Sequence, residues 1–245
     1  MKTIKIKTKA ELEAYKASKT TTHLDMREWE GVDIDLYKAT TGNIYLEEAT
    51  TGTIDLSKAI TGFIDLRKAK TGDINLRKAK TGDIYLKETT TGYIDLYGAT
   101  TGDIDLTKAT TVHINLKEAT TGDIDLRGAE IRRIYLTEAK TGSIIQNYTH
   151  EDIELLKSIP YDKLNMNKWQ SNFNWKQCKS AQELHTCGTT FCIRGYAEAL
   201  YYVKNGKEIE DTNLLHPTLK HLFFMTNEQA KAEINKIILN YGTTK

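Results

Sequence analysis

The sequence predicts a mainly β fold, a parallel β-solenoid over residues 21–148, followed by a small α-helical C-terminal domain over 149–245. Three features carry that expectation. A ten-residue repeat runs without a single insertion from about Thr21 to Gln146, each repeat has an Ile-x-Leu spacing, and helix-type sequence takes over after Thr149.

In the repeat the fourth position is Ile from Ile34 to Ile144, with Leu24 in the first block. The sixth is Leu from Leu36 to Leu136, entered by Met26 and left by Gln146. The ninth is Ala in ten of the eleven blocks from 31 to 140, Thr89 being the exception, and Gly recurs at the second, as at Gly42, Gly102 and Gly122. Apolar residues two apart share one face of a strand, whereas a helix would space them three and four apart. A Gly every ten residues would also weaken a helix by ~1 kcal/mol each. Strands this short do not stand alone. Stacked ~4.8 Å apart, they can hydrogen-bond to their equivalents and bury identical residues in ladders.

A solenoid needs closed ends. Residues 1–20 supply a strand around Ile4 and Ile6, and Thr8-Lys9-Ala10-Glu11 is a capping box that opens a helix to about Lys19. Trp29 is expected to fill the volume left where the repeats stop.

Divided at Ile and Ala, the repeat reads Ile-Asp-Leu-x-Lys followed by Ala-Thr-Thr-Gly-Asp. This resembles the pentapeptide-repeat family, whose motif is Ala-(Asp/Asn)-Leu-x-x with the first and third side chains inside. The resemblance covers roughly half of the chain. It implies a right-handed, four-sided parallel β-helix of about 20 residues per coil, two decapeptides to each turn. Alternate pentapeptides carry Thr (Thr41, Thr51, Thr61, Thr71) where the family has Leu or Phe. A flatter, two-sided coil is therefore the alternative cross-section, and each buried hydroxyl must find a backbone or ladder partner.

The 34 basic and 33 acidic residues nearly cancel, so no whole-protein field points to nucleic acid or membrane. The layout is uneven. Residues 1–20 carry six Lys against two Glu, and 21–150 carry 16 basic against 20 acidic residues, net −4. No apolar run approaches the ~18–20 residues of a membrane span. The charged N-terminus lacks the apolar stretch of a signal peptide, and a cytoplasmic location is expected.

After Thr149 the sequence predicts a short helix over 150–158, a longer one over 192–204 and a short one after Pro217. A last helix is opened by the capping box Thr226-Asn227-Glu228-Gln229 and ends near Tyr241. All three cysteines fall in this region. Trp175 with Cys187, Gly188, Thr189, Cys192, Gly195, Tyr196 and Ala197 resembles a segment of uncharacterised bacterial and phage proteins, a resemblance that implies no activity. Cys178, His185, Cys187 and Cys192 supply four soft ligands for zinc, although only Cys187 and Cys192 approach the spacing of structural zinc pairs. Cys187 with Gln182 resembles the nucleophile segment of papain-like bacterial peptidases, which also need a His on a strand, whereas His216 and His221 sit in helical sequence. A Cys187–Cys192 disulfide is a further reading. Small thiols packed beneath the 192–204 helix are the plainest one.

Outward positions carry the surface information. With twenty residues per coil, Asp83, Asp103 and Asp123 stack on one face, flanked by Asp105 and Asp125. Carboxylates ~5 Å apart repel by about 1 kcal/mol or less per pair in water. A mere spacer could carry Asn or Thr there, as at Asn75 and Asn115. The strip is read as a binding surface for a basic protein partner. Some pentapeptide-repeat members engage DNA topoisomerases as DNA mimics, so the resemblance implies nucleic-acid mimicry or inhibition, although those members are usually strongly acidic. No direct nucleic-acid binding, no membrane contact and no cofactor are expected. The function expected is a non-enzymatic, macromolecule-binding solenoid. The second reading is a thiol-dependent enzyme or zinc module in 150–245 with the solenoid as targeting arm. The third is a structural spacer in a phage or cell-surface assembly.

Overall fold

The structure, a computed structural model, describes residues 1–18, 20–29, 32–148, 150–159 and 227–241. The chain divides into two compact units, Met1–Asn147 and one that begins at Tyr148.

In the first unit each block contributes a strand at its fourth and fifth positions, as at Ile54–Asp55 and Ile104–Asp105. All pairing is parallel, with a partner twenty residues away: Ile54 pairs with Ile74, and Ile74 with Ile94. One coil is therefore two decapeptides. Alternate blocks segregate into two sheets. The first face is an eight-stranded sheet from Thr3–Lys5 to Ile144–Ile145, and the second a six-stranded sheet from Ile34–Asp35 to Glu130–Tyr135. The tenth positions build two further ladders, Thr40 to Ile60 to Lys80 on one side and Thr50 to Lys70 to Thr90 on the other. The coil thus has four hydrogen-bonded walls rather than two.

Stacking satisfies the main chain. Ile54 N donates to Asp73 O at 2.9 Å, Leu56 N to Asn75 O at 2.8 Å and Lys58 N to Arg77 O at 2.8 Å. The Ile and Leu ladders fill the interior, and from Ile34 to Leu136 none of these side chains is more than 4% exposed. Each contributes roughly 1.5–3 kcal/mol by leaving water. The Thr41 and Thr51 hydroxyls donate to the carbonyls of Gly42 and Gly52 at 3.0 Å, the backbone partners that burial demands. Thr89, which stands where other blocks have Ala, is fully buried and donates to the Leu66 carbonyl at 2.6 Å.

From Ile34–Asp35 to Glu130–Tyr135 every strand ends in the same turn. Ala39 N donates to Leu36 O at 3.0 Å across a turn whose third residue, Lys38, has φ +56°. A positive φ at that place belongs to a type II turn and favours glycine. Nine non-glycine residues nevertheless occupy it, with φ between +56° and +61°, and Gly98 and Gly128 fill two more of the equivalent positions. From Lys38 to Glu118 a coil-to-coil bond from each such N–H, Gly98 included, holds the residue there.

At the N-terminus the capping box forms. Thr3–Lys5 pairs with His23–Asp25, and α1 (Lys9–Ser18) follows. Thr8 N donates to Glu11 Oε2 at 3.0 Å while Glu11 N donates to Thr8 Oγ1 at 3.3 Å. Backbone N–H donors of Lys7 and Thr8 hold the Glu11 carboxyl below its ordinary pKa. Leu12 and Tyr15 face inward, and Trp29 is fully buried with its indole N–H on the Val32 carbonyl at 2.9 Å.

In the second unit α2 (His150–Ser158) and α3 (Asn227–Tyr241) pack together, with Ile153, Leu156, Ile234 and Ile237 buried. The helices expected over 192–204 and after Pro217 lie outside the described residues. Among the described residues, no helix is long and apolar enough to cross a membrane.

Candidate functional site

On the first face the third position of a block lies beside the third position of the next coil. Asp83 Oδ1 accepts from Asp103 N at 2.9 Å, Asp103 Oδ1 from Asp123 N at 2.8 Å, and Asp123 Oδ1 from Ser143 N at 2.5 Å. The three carboxylates therefore stack as the twenty-residue period requires, each pinned through one oxygen to the backbone of the following coil. Asp33, Asn43 and Asp73 do the same for Thr53, Phe63 and Tyr93. This corrects one premise of the sequence reading: the acidic strip is not spare surface. A charged acceptor on a backbone N–H is among the stronger hydrogen bonds, and it offsets the repulsion between stacked rungs.

The same geometry explains the glycine at the second position where the residue nineteen before it is Asp or Asn; at Gly72 and Gly82, which follow Thr53 and Phe63, a Cβ would meet backbone atoms instead, at 3.0 Å and beyond. A Cβ on Gly102 would lie 2.0 Å from Asp83 Oδ1, and one on Gly122 2.1 Å from Asp103 Oδ1. The carboxylate crosses the next coil where a side chain would stand. Val112 and Arg132, the two second positions between 42 and 142 without Gly, lie one coil beyond Tyr93 and His113, which make no such bond. The strands there have six residues, Thr110–Asn115 and Glu130–Tyr135, as does Thr90–Asp95, which keeps Gly92.

Asp105 and Asp125 face each other in register on adjacent strands. Asp105 Oδ1 accepts from Thr107 N at 2.8 Å. Asp125 takes the Arg127 guanidinium through both oxygens, with Nη2 to Oδ2 at 2.5 Å. Those bonds outweigh burial and hold the Asp125 carboxyl below its ordinary pKa. Tyr85 donates to Asp83 Oδ2 at 3.1 Å, and this bond, with burial second, raises the phenol pKa. On Asp103, Asp105 and Asp123, Oδ2 keeps no hydrogen-bond partner among the described residues. The strip is thus a row of immobilised carboxylates, three of which present an uncommitted oxygen.

The second face carries a ladder that the sequence reading passed over. Tyr93, His113 and Tyr135 meet edge-on, at centroid distances of 5.8 and 6.2 Å. Burial first, then the charges of Arg133 and Arg132, lower the His113 pKa. The signal that could have found it is the loss of Gly at Val112 and Arg132.

Cys178, His185, Cys187 and Cys192, the zinc, disulfide and nucleophile candidates, lie outside the described residues. Among the described ones, no group of His, Cys, Asp or Glu could hold a metal ion. Sequence reasoning also missed two buried carboxylates of the second unit, Asp152 on α2 and Glu233 on α3, 2% and 8% exposed. Burial, then the charges of Glu233 and Asp152, raise the pKa of Tyr148. The plainest sequence reading of the cysteines, unreactive thiols, is tested in solution. Metal analysis of the purified chain should find less than about 0.1 equivalent of zinc, and Cys187 should alkylate no faster at neutral pH than a free thiol of pKa ~8.5. Stoichiometric zinc, or rapid selective alkylation, would replace that reading.

No family model matches the chain, and no curated protein does. Among solved structures it is similar to HetL, a pentapeptide repeat protein involved in heterocyst differentiation regulation from the cyanobacterium Nostoc. The identity is 17% over 55% of this chain and 94% of that one, with a TM-score of 0.18. The solenoid assignment rests on the pairing and burial given above.

Proposed function

We propose that the chain is a non-enzymatic binding protein whose solenoid offers the strip of Asp83, Asp103, Asp105, Asp123 and Asp125 to a basic protein surface. The observation that supports this is the division of labour within the strip. One oxygen of each carboxylate is spent on the fold, and on Asp103, Asp105 and Asp123 the other is free. Rigid acceptors cost little entropy when they bind, and complementary charge speeds encounter and selects among partners. A partner that normally holds nucleic acid fits this spacing of negative charge, and nucleic acid itself is repelled by it.

Replacing all five with Asn tests the reading, because Asn keeps the Oδ1 acceptor while it removes the charge and turns Oδ2 into an N–H donor, at the cost of the Asp125–Arg127 pair. The variant is expected to melt at the same temperature or up to about 4 °C higher, and to lose the protein that the unmodified chain captures from host lysate. A variant that still holds that protein at equal yield and equal salt sensitivity would leave the strip as a solvated face. Mobility-shift titration with duplex DNA is expected to give no complex in either case.

A further inference from the structure

The corners formed by the eighth positions, where φ is positive, differ in how they order their charges. The corner after the first-face strands runs Glu48, Lys68, Glu88, Lys108, in alternation, and is preceded by Glu28, whose φ is not positive. It neutralises itself, with Lys68 Nζ on Glu48 Oε1 at 3.3 Å and Glu28 on Lys5 and Lys7. The corner after the second-face strands runs Lys38, Lys58, Lys78, Gly98, Glu118, Glu138. Here the signs are separated: three lysines in successive coils, a glycine, then two glutamates. All five charged residues are exposed, and among the described residues none makes an ion pair. Lys38 and Lys58 lie over the Tyr37 ring at 4.9 and 5.7 Å, and Tyr97 donates to Glu118 Oε1 at 2.5 Å. Within one chain the arrangement is unfavourable, because like charges sit one coil apart and opposite ones two or more.

We infer that this corner is a self-complementary edge that binds a second copy of the chain in antiparallel orientation. A twofold axis midway between the Lys78 and Gly98 coils sets Lys38 against Glu138 of the second copy and Lys58 against Glu118. Each pair occurs twice by symmetry. Lys78 then meets Gly98, the one position on the corner without a side chain. Beside them Arg77 meets Tyr97 of the second copy, the residue types already stacked at 4.6 Å within one chain. Both copies have the same rise per coil, ~4.8 Å, so all rungs stay in phase along the edge. A parallel copy would set Lys on Lys and Glu on Glu, so charge rejects that arrangement. The edge is narrow, about 24 Å long over five coil spacings, and dimerisation is expected to be weak and strongly salt-dependent.

The test is charge exchange read by sedimentation equilibrium on the full chain, at about 50 mM and about 500 mM salt. Lys58→Glu and Glu118→Lys are each expected to weaken dimerisation about tenfold or more. The chain carrying both should return to within about threefold of the original affinity, since the exchanged charges would again face opposite ones across the interface. Inside one chain the two positions are three coils, ~14 Å, apart, beyond a Debye length of about 8–10 Å, so they do not act on each other. Each reversal relieves like-charge neighbours one coil away, Lys38 and Lys78 or Glu138, and gives up a bond to Tyr37 or Tyr97. Both substitutions place residue types that this turn position already carries, at Glu48 and at Lys68, and melting temperatures are expected to stay within about 4 °C of the original. A chain that is monomeric at about 1 mM protein in low salt overturns the proposal. So does a double exchange no tighter than either single one, or a dimer that both single reversals leave intact.

Discussion

Leu76→Asp is expected to unfold the coil that carries it and the coils on either side. Leu76 is fully buried in the column between Leu56 and Leu96. Its N–H donates to Asp95 O at 2.7 Å, so the residue cannot turn outward without breaking the ladder. A carboxylate placed there would have no partner, and burying it costs several kcal/mol. In a solenoid each coil is stabilised by its neighbours, so the loss spreads along the axis. Arg77→Ala, one residue on, is the control. Arg77 holds an exposed ion pair with Asp95 at 3.0 Å and covers the Tyr97 ring, which together are worth about 1 kcal/mol. Chemical denaturation followed by circular dichroism separates the two. Comparable losses would mean that the inward and outward sides have been exchanged.

The second large effect is expected at a residue with no side chain. Gly102→Ala forces the Asp83 carboxylate off the position it occupies, because 2.0 Å is far inside contact distance. The Asp103 N–H loses its acceptor, and the expected cost is about 2–3 kcal/mol. Asp83→Ala should remove much of that penalty. The double variant should be about 1–2 kcal/mol more stable than the two single losses predict. The chain already contains such an arrangement, since Val112 stands one coil beyond Tyr93. Additive losses would show that the glycine serves backbone freedom instead. Gly98→Ala is the contrasting case, since its Cβ would meet nothing closer than Lys78 Cγ at 3.5 Å and its φ of +63° carries the strain.

Much of the fold was legible because the interior is written in one code. The Ile34-to-Ile144 and Leu36-to-Leu136 columns are the same on both faces, so periodicity alone reveals inward and outward sides. The capping box at Thr8 and Glu11 was legible for a local reason, since both bonds it makes are within four residues. The type II turns were not. Lys38 and Glu48 carry no mark of positive φ, and only Gly98 and Gly128 hint at it. The strip of aspartates followed from the twenty-residue period, but not the engagement of one oxygen of each in the fold. That depends on a bond between residues twenty apart and on an empty Cβ position nineteen residues on. The clue was present as a correlation: every third-position Asp or Asn has Gly nineteen residues on, and Tyr93 and His113 do not, although Thr53 and Phe63 do.

That correlation also sets how such a gene can change length. Inserting or deleting one decapeptide would leave the interior intact, because both faces bury the same residues at the same places. It would, however, move every later outward residue to the opposite face, and the aspartates of the coil just before the junction would lose the glycine and N–H that receive them. Gain or loss of two decapeptides preserves both, as the direct pairing of Ile104 with Ile124 shows. Copying in steps of ten therefore makes a stable rod with a rewired exterior, and copying in steps of twenty makes a longer rod with its recognition surface extended.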